Sequence, residues 1–328
     1  MGKRKTLKML CGVAVLGASG VVAQAWAADK AASWPDRPVR MVVPFAPGGS
    51  NDVIARKLAE GLSKQTGQTF VVENRGGAGG VVGSAYVASA APDGYTFLFV
   101  SGSLATSAAV QKTPYDASQA FDAVSMVASA PFVVVTRADF PAKDMKGLIQ
   151  YAKDNPDKIN YGSAGLGDSS QMATELLASK AGVKMQTVGY KGISPAQLDL
   201  AAGRLDMIIT TMASVRGTQT DQLPKLAFTG AERDPDFPDI PTVKEATGLD
   251  YVVNVWWGVF GPKGVQSDAR DRLNAEIGKV VATEDFAKFL KNAGARPHAS
   301  TPDELHELLV SDLEQWTKTA EEAGIRAQ

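Results

Sequence analysis

The sequence is poor in the residues from which most crosslinks and reaction centres are built. Among 328 residues there is one cysteine, Cys11, and there are two histidines, His298 and His306. A single cysteine excludes an internal disulfide. A histidine-based triad or zinc centre would have to use those two histidines, which lie far along the chain from the glycine-rich loops described below. We interpret both as surface residues.

Long apolar runs are also scarce. An uncharged stretch from Met9 to Trp26 follows a basic segment and ends in an Ala-x-Ala pattern at 25–27. This pattern is typical of a cleaved export signal over 1–27 and predicts a periplasmic location. A membrane anchor is the alternative, but the stretch is diluted with polar residues and falls short of the roughly 20 strongly apolar residues of a spanning helix. No small residue precedes Cys11, which argues against a lipid anchor.

An excess of positive charge is missing as well. Removal of residues 1–27 takes away Cys11 and four basic residues, leaving 30 Lys and Arg against 35 Asp and Glu, a formal charge of −5. Such a surface does not favour nucleic acid or anionic lipid. The composition, 45% apolar and 21% charged, is ordinary for a soluble protein of two domains.

Strand and helix patterns alternate along the rest of the chain. Strands are predicted at 37–45, 69–75, 95–101, 132–137, 158–164, 185–190, 205–211 and 252–262. Helices are predicted between most of them, including one at 169–181, and three follow the last strand, the final one at 302–323. This order predicts an α/β fold with two lobes: 34–131 plus 256–328 form lobe 1, and 132–255 form an inserted lobe 2. Two connections between the lobes imply a hinge and a cleft.

Two glycine-rich loops join a strand to a helix, one in each lobe. The first loop reads PFAPGGSN at 44–51, with an N-cap expected at Ser50 or Asn51, and the second loop reads GSAGLGDS at 162–169. Glycine lets the backbone approach a ligand, and a helix start offers unpaired N–H groups. One such loop alone could be a capped turn without a ligand. A pair facing across a hinge predicts that amides from both lobes converge on one carboxylate, helped by the hydroxyls of Ser163 and Ser169.

Enzyme motifs are weak or absent. Gly77, Gly79 and Gly83 give G-x-G-x-x-x-G, one residue away from the dinucleotide fingerprint, and neither a phosphate-loop motif nor a nucleophile elbow occurs. We therefore expect no metal, cofactor or catalytic residue. An exported enzyme that uses Asp52, Asp168 or Asp206 as a base remains an alternative.

Six segments carry a resemblance to a known family: WPDRPVRMVVPFAPGGSNDVIAR, VVENRGGAGGVVGSAYVASAAPDGYT, YGSAGLGDSSQMATELL, VGYKG, GRLDMII and FPDIPTVKEA. In this order they resemble the Bug-type solute receptors of tripartite tricarboxylate transporters, from Trp34 to about Gly324. The resemblance implies a type II-like periplasmic binding protein of the Venus flytrap kind, with a mixed sheet flanked by helices in each lobe. It implies a receptor that closes on a small carboxylate and delivers it to a permease with a large and a small membrane subunit. We also expect a monomer without enzymatic activity.

The same resemblance implies which residues bind the ligand. In the family the two loops hold a carboxylate, commonly with bridging waters, while later segments meet the far end. By position the implied residues are Phe45, Ala46, Pro47, Gly48, Gly49, Asn51, Asp52, Ser101, Ser103, Thr106, Ser163, Ala164, Gly165, Asp168, Ser169, Thr210 and Thr211.

Four residues at or beside the implied pocket depart from the family pattern. Leu166 stands where Asn is frequent, Asp168 where Ser is, Gln171 where His is and Thr210 where Asp is. The substrate therefore does not transfer with the fold. Asp168 has two interpretations: it repels dianions and favours a ligand with an ammonium, hydroxyl or ring N–H, or it is an N-cap paired with Gln171 in a capping box.

Other residues also allow two interpretations. Trp256 or Trp257, on the segment that crosses back, could stack on a planar ligand or pack in the core or hinge. Tyr190 could contact the ligand and Lys191 could offset its charge, or both could be surface residues. A sensor subunit that contacts a membrane kinase instead of a permease would have similar lobes, so its partner alone would distinguish it.

Overall fold

The computed structural model describes residues 34–325 and contains two β-sheets with helices packed on them. In chain order the strands are β1 (Val39–Val43), β2 (Phe70–Asn74), β3 (Thr96–Ser101), β4 (Phe121–Pro131), β5 (Val133–Thr136), β6 (Asn160–Ser163), β7 (Gln186–Gly189), β8 (Met207–Thr210), β9 (Lys225–Phe228), β10 (Asn254–Pro262) and β11 (Arg296–Pro297). The α-helices are α1 (Ser50–Thr66), α2 (Val81–Ala88), α3 (Ser103–Val110), α4 (Met145–Asp154), α5 (Ser169–Ala181), α6 (Ile193–Ala201), α7 (Met212–Val215), α8 (Val243–Thr247), α9 (Ser267–Val281), α10 (Glu284–Asn292) and α11 (Pro302–Ala323). Short 3-10 turns occur at Ala78–Gly80 and Gln219–Gln222.

Both sheets mix parallel and antiparallel pairs. The first has the order β11-β4-β10-β3-β1-β2, and the second has the order β7-β6-β8-β5-β9. In the first sheet β1 pairs in parallel with β2 and β3, whereas β10 runs antiparallel to β3 and β4. In the second, β6 is parallel to β7 and β8, and β5 is antiparallel to β8 and β9. The predicted two-lobed α/β fold with mixed sheets is confirmed.

Two long strands carry the chain between the sheets. β4 leads through Phe132 directly into β5, and β10 returns from the second sheet to pair with β4 from Asn254↔Pro131 to Pro262↔Phe121. The sequence pattern predicts the returning segment but not β4, the longest strand described. Asp122, Ser125 and Ser129 interrupt the apolar pattern of β4, so this segment is not typical of a buried strand. Helix α3 and strand β9 are not predicted either. The proposed lobe limits at 131 and 255 stay a prediction.

Helix α1 positions the first loop. Ile54, Leu58 and Leu62 follow helical spacing and are fully buried against the first sheet, each stabilising by about 1.5 to 3 kcal/mol. The helix ends at Gly67, whose φ of 72° is the left-handed conformation that glycine tolerates. Its N-cap is Gly49, without a side-chain cap, so the prediction of Ser50 or Asn51 was wrong by one residue or two. The N-cap residue of α1 therefore has no side chain that could accept from the first amides of the helix.

Other predictions concern the surface and the N-terminus. His298 is exposed and His306 is partly exposed, and no cluster of three potential metal-binding side chains occurs within residues 34–325. In that same range, no helix combines the length and the apolar character needed to cross a bilayer. The predicted export signal over 1–27 lies outside the described residues.

Candidate ligand-binding cleft

A cavity lies between the two sheets, where both glycine-rich loops meet. Its empty volume is about 430 Å³, including solvent at its mouth. Ten of the residues implied by the resemblance line it: Phe45, Gly49, Asn51, Ser101, Ser103, Ala164, Asp168, Ser169, Thr210 and Thr211. Five further lining residues are not among the predicted ones: Ser50, Phe132, Ser170, Ile193 and Val255. Phe132 and Val255 lie where the chain passes between the sheets. The apolar segments that begin at 132 and 252 are the sequence signal that could have identified them.

The remaining implied residues lie outside this lining. Ala46, Gly48 and Gly165 belong to the two loops but line no part of the cavity, and Pro47 is exposed. The side chains of Asp52, Thr106 and Ser163 are buried around the site. Tyr190 lies at a separate surface groove, where its hydroxyl donates to Asp199 Oδ2 at 2.6 Å. These residues support or flank the cavity rather than face it.

Some first-loop amides are already occupied by protein acceptors. Gly48 N–H donates to Asp52 Oδ2 at 3.0 Å, Ala46 N–H to Lys191 O at 2.9 Å, and Ser50 N–H to Ser214 Oγ at 2.8 Å. The amides of Gly49 and Asn51, by contrast, have no acceptor among the described residues, and both residues line the cavity. The first loop thus keeps two donors at the N-terminus of α1, where the helix dipole favours an anion.

The second loop is different, because the amides of its residues that line the cavity donate to acceptors within the protein, as does the amide of Gly167. Ala164 N–H donates to Asp168 Oδ1 at 3.0 Å, Gly167 N–H to Gln171 Oε1 at 2.7 Å, and Ser169 N–H to Ser103 Oγ at 3.2 Å. Asp168 N–H donates to Gly165 O at 3.1 Å. The expectation that unpaired amides from both lobes converge on one ligand group is therefore wrong for the second loop.

Asp168 is the N-cap of α5, as one of its two interpretations held. Its carboxylate accepts from Ser170 N at 2.9 Å, Gln171 N at 3.2 Å and Ser170 Oγ at 3.0 Å, in addition to Ala164 N. The expected capping box with Gln171 does not form, because the Gln171 side chain accepts from Gly167 instead. Burial raises the pKa of Asp168 to about 6, although these hydrogen bonds oppose the shift.

Hydrogen bonds also cross the cleft. Ser103 Oγ lies 3.1 Å from Ser169 Oγ, so a serine at the start of α3 meets one at the start of α5. The Ser50–Ser214 and Ala46–Lys191 bonds also join residues from the two sides. Together they hold the cleft closed around the cavity.

Close backbone packing completes the closure. Gly79, with φ of 61°, lies so near the second loop that an added Cβ would be 2.0 Å from Leu166 O. Gln111 Nε2 donates to the same carbonyl at 2.9 Å. Glycine is required at position 79 because both its backbone conformation and this approach exclude a side chain.

Hydroxyls and apolar side chains surround the rest of the cavity. Ser101 Oγ donates to Ser103 Oγ at 3.0 Å and accepts weakly from Asn51 Nδ2 at 3.4 Å. The other amide atom, Asn51 Oδ1, is buried without a partner, so it offers an acceptor. Phe45, Phe132, Ile193 and Val255 supply apolar surface. Asp168 is the one ionisable side chain among the described residues that line this cavity.

Neither tryptophan lines the cavity. Trp256 is buried and its Nε1 donates to Asp312 Oδ2 at 2.6 Å, and Trp257 is fully buried in the first sheet. Both pack in the core, which was the second interpretation. Lys191 meets the first loop through its backbone carbonyl, not through its charge.

The carboxylates considered as enzymatic bases have structural partners. Asp52 Oδ1 accepts from Asn74 and Arg56; burial alone would raise the pKa of Asp52, but these bonds and the Gly48 amide lower it. Asp206 pairs with Arg137 at 3.0 Å and accepts from Asn160 N. Neither lines the cavity.

A closed cleft between two α/β lobes, lined by hydroxyls and by free amides at a helix start, defines a two-lobed solute-binding protein. The chain belongs to the tripartite tricarboxylate transporter receptor family, because the model described as "Tripartite tricarboxylate transporter family receptor" matches residues 54–325. This is a family of receptors, not of enzymes. A relative from Pseudomonas sp. strain P51, a UPF0065 protein of the tcbD-tcbE intergenic region, is 40% identical over 92% of this chain and 90% of its own.

Solved structures agree with this assignment. The periplasmic binding protein BugD is 34% identical, with a TM-score of 0.86 over 90% of this chain and all of its own. Rpa4515 of R. palustris with adipate is 32% identical, with a TM-score of 0.86 over 89% of this chain and 99% of that one. The family and the two-lobed fold are therefore established.

Proposed function

We propose that this protein captures a small organic carboxylate in the cleft and delivers it to a membrane permease with a large and a small subunit. The observation that carries this proposal is the pair of free amides, Gly49 and Asn51, at the N-terminus of α1 in an enclosed cavity. Charge-assisted hydrogen bonds to such donors contribute about 1.5 to 3 kcal/mol each. The similarity to a structure that holds adipate supports the same ligand class.

The ligand's other end meets the hydroxyl-lined part of the cavity in this proposal. Ser101, Ser103, Ser169, Thr210 and Thr211 supply hydroxyls that can donate or accept. Lobe 2, proposed as 132–255, closes over lobe 1, proposed as 34–131 plus 256–328, and the closed surface is what the permease recognises.

A thermal-shift screen tests the ligand class. Monocarboxylates, dicarboxylates, aromatic acids and amino acids are added to the purified protein, with the corresponding primary alcohols and amides as uncharged controls. A ligand at a hundred times its Kd stabilises the folded state by about 2.7 kcal/mol, so a true ligand raises Tm clearly. A protein whose Tm responds to no acid, or equally to acids and amides, would contradict the proposal.

Export and assembly complete the proposal. We expect cleavage near Ala27, a periplasmic mature protein and a monomer in solution. Mass spectrometry of periplasmic protein reports the mature N-terminus, and light scattering reports the assembly state. Co-purification of the liganded protein with the two membrane subunits, and its absence without ligand, tests delivery.

A further inference from the structure

The two loops differ in what occupies their amides, and the carboxylate of Asp168 is the acceptor that takes most of the hydrogen bonds at the second loop. Asp168 accepts four hydrogen bonds at the start of α5, from three backbone amides and one hydroxyl. These are the kinds of donors that a ligand carboxylate would otherwise use at a helix N-terminus. The protein thus carries its own anion in the cavity lining at the second loop. At the first loop the carboxylate of Asp52 lies outside the lining, pairs with Arg56 and takes only the Gly48 backbone amide, so Gly49 and Asn51 stay free.

No positively charged side chain among the described lining residues compensates the charge of the Asp168 carboxylate. Asp168 is only 4% exposed, and the remaining described residues of the lining are neutral. Four donors satisfy the carboxylate as an anion, but no Lys or Arg of the lining is available to a second one. A ligand with two carboxylates would place one at the first loop and leave the other in a small cavity beside Asp168. Like charges brought together in a desolvated site repel strongly.

A second acceptor points to the same ligand class. Asn51 Oδ1 is buried and has no partner, and its amide nitrogen already points to Ser101 Oγ. An unpaired buried acceptor is satisfied by a ligand donor, such as a hydroxyl or an amine, and not by another anion.

We propose that Asp168 is a specificity-determining residue, an inference that rests on the proposed function. Asp168 acts as a built-in second carboxylate and makes the cleft selective for monocarboxylates over dicarboxylates. The ligand's single carboxylate binds to the first loop. The second loop contributes a pre-formed anion and the hydroxyl of Ser169, while the Ser170 hydroxyl donates to that anion.

Matched acid pairs test this inference by calorimetry at pH 7.5. The probes are butyrate and succinate, hexanoate and adipate, and benzoate and terephthalate, so each pair differs by one carboxylate. In the wild type we expect the monoacid of a binding pair to bind at least about tenfold more tightly, since a neighbouring like charge typically shifts ionisation equilibria by one or more powers of ten.

Two variants remove the built-in charge. Asp168→Asn keeps a good N-cap, and Asp168→Ser frees more of the amides. In both we expect the ratio of monoacid to diacid affinity to fall by about tenfold or more, chiefly through tighter diacid binding. Asp144→Asn is the control, because Asp144 caps α4 in the same way by accepting from Gly147 N at 2.8 Å but lies outside the cavity lining. That variant should keep the wild-type ratio.

The outcomes separate this inference from the function on which it rests. A wild type that binds the diacid as tightly as the monoacid overturns the inference, as does an unchanged ratio in a folded Asp168 variant. The wild-type ratio decides alone if neither variant folds. Binding of no acid at all overturns the proposed function, and the inference with it.

Discussion

The first loop and the second loop have similar sequences, but they differ in whether the amides that line the cavity are free. Both connect a buried strand to a helix through glycines. At the cavity, however, the first loop leaves Gly49 and Asn51 with free amides, while the lining residues of the second loop donate their amides to protein acceptors. Asp168 accounts for part of this difference, because it accepts from Ala164, Ser170 and Gln171, while Gln171 and Ser103 accept from the amides of Gly167 and Ser169. Among the backbone amides of the first loop, Asp52 accepts only from that of Gly48 and leaves the helix start open. A glycine-rich strand-to-helix loop therefore offers an anion site only where protein acceptors leave the amides that line the cavity free.

Making the first loop like the second should abolish binding. Asn51→Asp places a carboxylate at the first turn of α1, beside the free amides. We expect affinity for any acid ligand to fall by about 4 kcal/mol, within the range for an uncompensated buried charge, while the helix gains a few tenths of a kcal/mol from its dipole. Calorimetry and chemical denaturation measure the two effects. Retained affinity would show that the ligand carboxylate lies elsewhere.

Removing the anion of the second loop should change how stability depends on pH. The pKa of Asp168 is raised to about 6, so between about pH 6 and pH 4 the native state binds a proton that the unfolded chain does not. The contribution of Asp168 to the free energy of unfolding of the wild type therefore rises as the pH falls through that window, by about 3 kcal/mol at most.

Asp168→Asn lacks this contribution. The free energy of unfolding of the variant minus that of wild type should be larger at pH 8 than at pH 4.5. Denaturant titrations at both pH values measure this difference. Other titrating groups are common to both proteins and cancel. A stability difference that does not vary with pH would contradict the burial of an ionised Asp168.

The contact between the second loop and the opposite side can be broken at Gly79. Gly79→Ala would place a Cβ on Leu166 O, so we expect closure to weaken and affinity to fall by about 2 kcal/mol, part of it from the positive φ. Gly67→Ala is the control, with φ of 72° and nothing within 4 Å of its Cβ. Equal effects of the two substitutions on affinity would mean that closure does not depend on this contact.

The smallest effect is expected at the Ser50 amide, one of the occupied amides of the first loop. Ser214→Ala removes the acceptor of Ser50 N–H across the cleft. One neutral hydrogen bond is worth about 1 kcal/mol, so we expect roughly a fivefold loss of affinity. Stopped-flow binding should assign the loss to faster dissociation, since the closed state is the one affected. A gain in affinity would instead indicate that the freed amide binds the ligand.

Local signals predicted much of the fold. Helix α5 was predicted with its observed bounds, because Asp168 caps it and Gly182 ends it, and α11 likewise, because Thr301 forms a capping box and Pro302 follows. Strand β4 was missed because polar residues interrupt it and its burial comes from distant elements. The positions of the two loops were predicted, but the occupancy of their amides was not. The acceptors Ser103 and Ser214 lie 66 and 164 residues from their donors, and only the folded chain brings them together.

The paired strands β4 and β10 have a consequence for the family's history. Because Pro131 and Asn254 are paired partners, the chain leaves the first sheet and returns to it at adjacent points. The segment between them carries the whole second sheet, so recombination at these two points would exchange it as a cassette without opening the first. Half of the cavity would be replaced in one genetic event, and a new combination of acid-binding loops would arise on an intact scaffold.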